Sequence, residues 1–210
     1  MKPIKSLPPV LILLGISTSA LAGNFDTPMS VNPVPQAAVT DWNGFYAGAQ
    51  VGFAQGALDV YGNGVYDYGL PTEGTLYGGF AGYNIQRGNF VFGGEAAYGF
   101  GKLEDGSHTL WTEDHIDLKA RAGYSLGNAL VYGFAGYSMA SMMESAIAVP
   151  QTIGGVNYGI GVDYQINNGL FVGLELIGRA FSGDFDPNVY PGFTAEGPID
   201  SINLRVGKQF

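Results

Sequence analysis

The 210-residue sequence has no cysteine, only two histidines and two tryptophans, and few charges, with Asp, Glu, Lys and Arg together making up 13% of the chain. Without cysteine there is no disulfide framework and no thiolate metal site. The charged share is about half that of an ordinary soluble domain. No stretch supplies the roughly 18 apolar residues that a membrane-spanning helix needs. Bases are scarcer than acids, 9 against 18, for a formal net charge of −9, which argues against nucleic acid as a partner. Glycine is what the chain has in excess, at 34 residues, and the length suits one domain.

The segment HIDLKARAGYSL, His115 to Leu126, shows the governing pattern. Ile116, Leu118, Ala120, Ala122, Tyr124 and Leu126 alternate with residues that include Asp117, Lys119 and Arg121. A helix, repeating every 3.6 residues, would scatter both sets, whereas a strand keeps each on one face. The same alternation runs through Phe45–Phe53, Phe90–Phe100, Val156–Ile166, Leu170–Arg179 and Ile202–Phe210. Leu76–Gln86 and Ala129–Ala140 also read as strands, but their glycine leaves the facing open. Eight strands are therefore expected.

Connections alternate in length. Ala54–Glu73, Lys102–Asp114, Ser141–Ile153 and Ser182–Pro198 are long, while Arg87-Gly88-Asn89, Gly127-Asn128 and Asn167-Asn168-Gly169 have the chemistry of tight hairpins. This predicts an all-β, eight-stranded antiparallel up-and-down transmembrane β-barrel with four long extracellular loops and three short periplasmic turns. Ahead of it, Lys2 and Lys5, the apolar run Val10–Ile16 and Ala20-Leu21-Ala22 read as a signal peptide over residues 1–22, cleaved after Ala22. Residues 23–41, with Pro28, Pro33 and Pro35, read as a flexible leader on the periplasmic side, and residues 42–210 as the barrel.

Three features put the apolar face outside. Gly48, Gly52, Gly93, Gly99, Gly123, Gly159, Gly161, Gly173 and Gly207 share the face that carries the charges. A solvated face gains nothing from missing side chains, but a narrow bore gains room. That face also balances Glu95, Asp117, Asp163 and Glu175 against Lys119, Arg121, Arg179 and Arg205. Such pairing is required where charge is buried. Finally Phe45, Phe53, Tyr83, Tyr98, Phe100, Tyr124, Tyr158 and Tyr164 gather towards strand ends, as interfacial girdles do.

The stretches DWNGFYAGAQVGFAQG (Asp41 to Gly56), GGFAGYN (Gly78 to Asn84), FVFGGEA, KARAGYSLG and the closing NLRVGKQF resemble the opacity-type small outer-membrane β-barrels, the immunogenic surface-protein family of Gram-negative bacteria. The likeness covers roughly Asp41 to Phe210 and leaves out the loops. It implies residence in the bacterial outer membrane among lipid and lipopolysaccharide. It also implies that Phe210 is the signal read by the barrel assembly machinery. Lys208 departs from the pattern, standing where an outward apolar residue is usual. Two residues from the end it can snorkel to the interface.

Several roles follow as expectations. In the first, a structural and surface-antigen barrel is plugged by the paired charges together with Gln50, Asn157, Asn203 and Gln209. The first alternative makes those charges the lining of a narrow pore for small ions or solutes. The second is a secreted, soluble lipocalin-like carrier. The long connections carry Asp59, Asp67, Glu73, Glu104, Asp105, Glu113, Asp114, Glu144, Asp184, Asp186 and Glu196 against Lys102, with Asp200 at the rim. This is either a solvated surface beside lipopolysaccharide and its divalent ions or a surface for a cationic or host ligand. Tyr61, Tyr66 and Tyr68, set among glycine, are candidate loop contacts, and so are His108 and His115, which bracket Glu113 and Asp114. The methionines of SMASMME, Ser138 to Glu144, are expected to pack at the lipid interface. No cofactor, metal or catalytic set is expected, and the chain reads as a non-enzyme. Lipid-phase quenchers should reach labels at Leu118 and Leu174 but not at Arg121 and Glu175; the reverse result would turn the barrel inside out.

Overall fold

Strict alternation continues further along the chain than its lipid-facing half suggests, and the strands follow it. The computed structural model describes residues 40–105, 110–144, 147–185, 187 and 191–210. Its strands are β1 (Gly44–Gly62), β2 (Val65–Arg87), β3 (Phe90–Asp105), β4 (Leu110–Leu126), β5 (Ala129–Glu144), β6 (Ile147–Asn167), β7 (Leu170–Asp184) and β8 (Phe193–Gln209). Each pairs antiparallel with its neighbours in sequence, and β1 closes the barrel against β8 with Ala49 opposite Val206 and Val51 opposite Leu204. The proposed signal peptide and nearly all of the leader, like His108, lie outside the described residues.

At one end the turns are the three that the sequence indicates. Asn168 and Gly169 both take positive φ, 51° and 77°, as a tight two-residue hairpin demands. At the other end the strands run on through most of the segments expected as loops. β1 and β2 continue to Gly62 and Val65 and are joined by Asn63-Gly64, with φ of 50° and 77°. Asn-Gly is the strongest short hairpin signal.

The reason these extensions look irregular in sequence is that the hydrophobic phase inverts. Along the lower part of β1 the apolar residues Phe45, Val51 and Phe53 face out; higher up, Leu58 and Val60 face in. β7 changes in the same way from outward Leu174 and Leu176 to inward Ile177 and Phe181. A barrel wall needs an oily exterior only where it meets hydrocarbon. Above that level it is an ordinary β-barrel with its core inside: Leu58, Val60, Leu76, Leu103, Ile153, Phe181, Phe185 and Ile199 pack together within the bore.

The belt is plain in the exposures. Leu118 is 48% and Leu174 42% exposed, whereas Arg121 is 5% and Glu175 1%. Aromatic pairs edge the belt, Phe45 against Tyr83 and Phe90 against Tyr124 towards the short-turn end, Tyr77 against Phe100 at the other. The two strands of open facing are now placed: Leu76, Phe80 and Asn84 of β2 and Leu130, Tyr132, Phe134 and Ser138 of β5 point inward.

Inside, large side chains and glycines pair across strands. Tyr132 stands opposite Gly161 and Phe134 opposite Gly159 on β6, Phe171 opposite Gly207, Phe80 opposite Gly48, and Tyr46 opposite Gly82. Each ring lies over the glycine it faces, so that a Cβ there would collide with it. At these five positions glycine is the space occupied by a neighbouring ring.

The outward Gly94 is different, since a Cβ on it would meet only the Lys119 carbonyl oxygen at 4.0 Å. Gly159→Val should therefore lower stability by about 1–3 kcal/mol through overpacking. Gly94→Ala should be neutral or stabilise by about 0.4–1 kcal/mol. Urea unfolding in lipid vesicles, followed by the heat-dependent mobility shift in mild SDS, measures both.

Candidate functional site

The lumen gathers all eight charged residues singled out from the sequence, because each lies on the inward parity of its strand. They form two groups. In the larger, Glu95 of β3 accepts hydrogen bonds from Lys119 Nζ at 3.2 Å, Arg121 Nη1 at 3.0 Å, Arg205 Nη2 at 2.5 Å and the Tyr46 hydroxyl at 3.0 Å. Glu175 of β7 accepts from Lys119 Nζ at 2.6 Å, Arg205 Nη1 at 2.5 Å and the Tyr132 hydroxyl at 3.1 Å. Asp163 of β6 takes Arg121 Nη2 at 2.9 Å. Three carboxylates thus meet three cations, contributed by five strands, and the group is neutral.

The smaller group lies nearer the extended hairpins. Arg179 donates from Nε at 3.1 Å and Nη2 at 2.7 Å to Asp117, a two-pronged pair whose geometry fits carboxylate to guanidinium. Ser138 donates to Asp117 at 2.6 Å, Arg179 Nη1 donates to Ser201 at 2.9 Å, and Asn157 donates to Ser138 at 2.9 Å. Ion pairs this deep repay the loss of water only when their remaining donors and acceptors are also engaged.

Aromatic faces complete the cations' surroundings. The Arg121 guanidinium lies 3.8 Å from the Tyr132 ring centre, that of Arg205 4.0 Å from Phe80, and Lys119 Nζ 4.9 Å from Phe134. Attraction of a desolvated cation to a ring face adds roughly 2 kcal/mol. Sequence reasoning missed most of these rings. Tyr46 and Phe171 had the charged parity and were visible as such; Tyr132, Phe134 and Phe80 sat on the strands of open facing, where the glycine opposite each is the signal that identifies them.

Both ends of the charged section are covered. Towards the hairpins lies the apolar cluster of Leu58, Ile153, Phe181 and Ile199. At the short-turn end Trp42, 2% exposed, packs edge-on against Phe171 with centroids 6.1 Å apart. The segment that carries it is tied across the mouth: Trp42 N donates to Gln86 Oε1 at 2.7 Å, Gln209 Nε2 to the Asn43 carbonyl at 2.8 Å, and the Thr40 hydroxyl to Asn128 Oδ1 at 2.6 Å.

The other candidates are more dispersed. The sequence reading puts His115 in a surface loop, and this is corrected: it is an inward residue of β4, 8% exposed, with Nε2 3.9 Å from Asp117 Oδ2. Its parity matches that of Asp117, and only its place at the edge of the expected loop disguised it. Tyr61 and Tyr66 sit on the β1–β2 hairpin with their rings edge to face at 5.9 Å, and Tyr66 and Tyr68 are exposed. The Tyr61 phenol is pushed above its ordinary value by partial burial and then by the Glu196 and Asp59 carboxylates. Among the described residues no group of three or more His, Asp or Glu is arranged to hold a metal. Lys208 faces outward, 5.9 Å from the Phe210 ring.

A closed barrel with an oily exterior and a charge-paired bore is built for a bacterial outer membrane. The chain belongs to the family described as outer membrane protein beta-barrel domain, whose model matches residues 27–198. It is 28% identical to a 22 kDa outer membrane protein of Rhizobium leguminosarum bv. viciae, over 78% of this chain and 80% of that protein. It is 26% identical to a 25 kDa outer-membrane immunogenic protein of Brucella canis, over 99% of this chain and 98% of that one. The crystal structure of Neisserial surface protein A shares the fold, with a TM-score of 0.50 at 13% identity over 79% of this chain and 97% of that structure. The protein is thus a small outer-membrane β-barrel of Gram-negative type, and the soluble-carrier alternative is set aside.

Arg205→Met would leave Glu95 and Glu175 each without one cation, and should destabilise the barrel by about 3–5 kcal/mol. Lys102→Ala, at an exposed pair with Glu104 3.2 Å away, should change stability by no more than about 1 kcal/mol. Urea titration of both variants in lipid vesicles tests the contrast.

Proposed function

We propose that this protein is a structural and surface-display barrel with a sealed lumen and no catalytic centre. One observation carries the reading: a neutral cluster of six charges spans the bore from five strands and lies between an apolar cap and an aromatic floor. An ion entering this bore would have to part pairs that already satisfy one another, in a section just wide enough for side chains. The fold therefore keeps its interior closed and leaves contact with the surroundings to its exterior.

The extended hairpins face the cell exterior and the short turns the periplasm. Residues 1–22 serve as the export signal, residues 23–41 as the leader that follows it, and Phe210 as the mark read during barrel assembly. The exposed carboxylates of Glu73, Asp184, Glu196 and Asp200 stand above the belt, where they repel like-charged neighbours, hold divalent ions shared with lipopolysaccharide, and favour cationic over anionic ligands. Tyr66 and Tyr68 on the first hairpin offer the large, rigid contacts that recognition surfaces use. A relative named as a 25 kDa outer-membrane immunogenic protein supports a surface-display role.

Reconstituted into planar bilayers, the full chain should give no resolved single-channel openings at moderate voltage. Steady, discrete conductance steps would overturn the sealed-lumen reading and restore the narrow pore.

A further inference from the structure

The segment ahead of β1 is fastened to the barrel without being part of its wall. Residues 40–43 take no strand pairing. Their side-chain anchors lie far apart, at Asn128 in the β4–β5 turn, at Gln86 near the end of β2 and at Gln209 near the end of β8. The anchors at Asn128 and Gln209 are exposed, where water replaces a hydrogen bond at little cost. Within the segment Asn43 N donates to Asp41 Oδ1 at 2.8 Å, a brace that holds it in one piece.

Trp42 is the residue of this segment that reaches inward. Its ring packs on Phe171, which in turn meets Tyr46 and Phe80 with centroids 6.2 and 6.1 Å apart. Tyr46 continues the line to the charges, since its hydroxyl accepts from Arg121 Nη1 at 2.9 Å and donates to Glu95. The seat is nevertheless imperfect. The Trp42 Nε1–H is buried with no acceptor among the described residues. A donor left unpaired in this way forfeits the hydrogen bond that water gives it once withdrawn. Part of the gain from burying the indole is thereby cancelled, and the seated and withdrawn states are brought closer in energy.

A pivot lies next to the segment. Gly44 has a φ of 122°, where a side chain is strained, and a Cβ on it would meet the Phe210 carbonyl oxygen at 2.8 Å. Pairing of β1 with β8 begins two residues further on, at Tyr46 with Gln209. The segment can therefore turn about Gly44 without parting the seam.

We propose that residues 40–43 are a hinged plug. Turning about Gly44, the segment withdraws Trp42 and admits water to the short-turn end of the bore as far as Phe171 and Tyr46. The charge clusters and the β1–β8 seam stay intact. The apolar cluster of Leu58, Ile153, Phe181 and Ile199 still closes the other end, so the lumen alternates between shut and half open.

The test uses the full-length chain with Trp111→Phe, which leaves Trp42 as the single indole N–H signal, in detergent micelles. Hydrogen–deuterium exchange is followed by NMR; because Nε1 has no acceptor, its protection reports burial alone. The Trp42 indole should exchange about tenfold or more faster than the seam amides of Ala49 and Val51. Gln86→Ala, which removes one anchor, should speed the indole about fivefold and leave the seam amides unchanged. Thr40→Cys with Asn128→Cys ties the segment down in a chain that has no other cysteine. Oxidised, with the bond confirmed by mass, this variant should slow the indole to the seam rate, and reduction should restore fast exchange. Indole exchange in step with the seam amides, before any anchor is changed, would overturn the plug, since Trp42 would then leave only when the barrel unfolds. So would acceleration of the seam amides by Gln86→Ala. Equal indole exchange in the oxidised and reduced forms would also overturn it, by showing that water arrives along another path. None of these readouts depends on whether the lumen conducts.

Discussion

Hydrocarbon offers no hydrogen-bond partner to a peptide group, and this governs the rest of the molecule. A sheet in that solvent must close on itself, because an open edge would leave donors and acceptors unsatisfied at several kcal/mol each. Closure through the β1–β8 pairing, Ala49 to Val206, fixes a narrow bore. A narrow bore cannot take a large side chain at every inward position. The rings of Tyr132, Phe134, Phe171, Phe80 and Tyr46 fit only because each has glycine opposite. The glycine content and the exclusion of an edge are thus two sides of one requirement.

Charge follows from the same geometry. Once the outside is oily, polar side chains have only the inside, and an inside that is nearly dry tolerates them only as neutral sets. Glu95 meeting Lys119, Arg121 and Arg205 at once is the extreme case, a carboxylate shared by three cations that also face Glu175 and Asp163. The arrangement specifies register as well as neutrality. A one-residue slip of β4 would turn Asp117, Lys119 and Arg121 to the lipid and Leu118 and Ala120 to the bore.

Much of this was legible in the sequence because a period of two is unambiguous where the faces differ in kind. The strand HIDLKARAGYSL declares both its structure and its two environments, and every lumen charge was found by parity alone. Legibility failed where the environments changed along a single strand. From Leu58 in β1 and Ile177 in β7 upward the apolar residues move to the inner face, so a strand that continues appears to stop. His115 was misplaced for the same reason. It also failed where glycine dominates: β2 and β5 read equally well in either sense until Phe80 and Tyr132 are seen over Gly48 and Gly161. The role of Trp42 could not be read at all, since a lone tryptophan ahead of a strand carries no periodicity.

Arg205 arrives on the last strand, and its two terminal nitrogens reach Glu95 on β3 and Glu175 on β7. Seven strands without it hold a surplus of negative charge in the lumen. The electrostatic latch and the seam that seals the backbone are therefore the same event, and a chain truncated before β8 lacks both at once. Completion of the cylinder is in this sense a chemical neutralisation, performed by the strand that closes the sheet against β1.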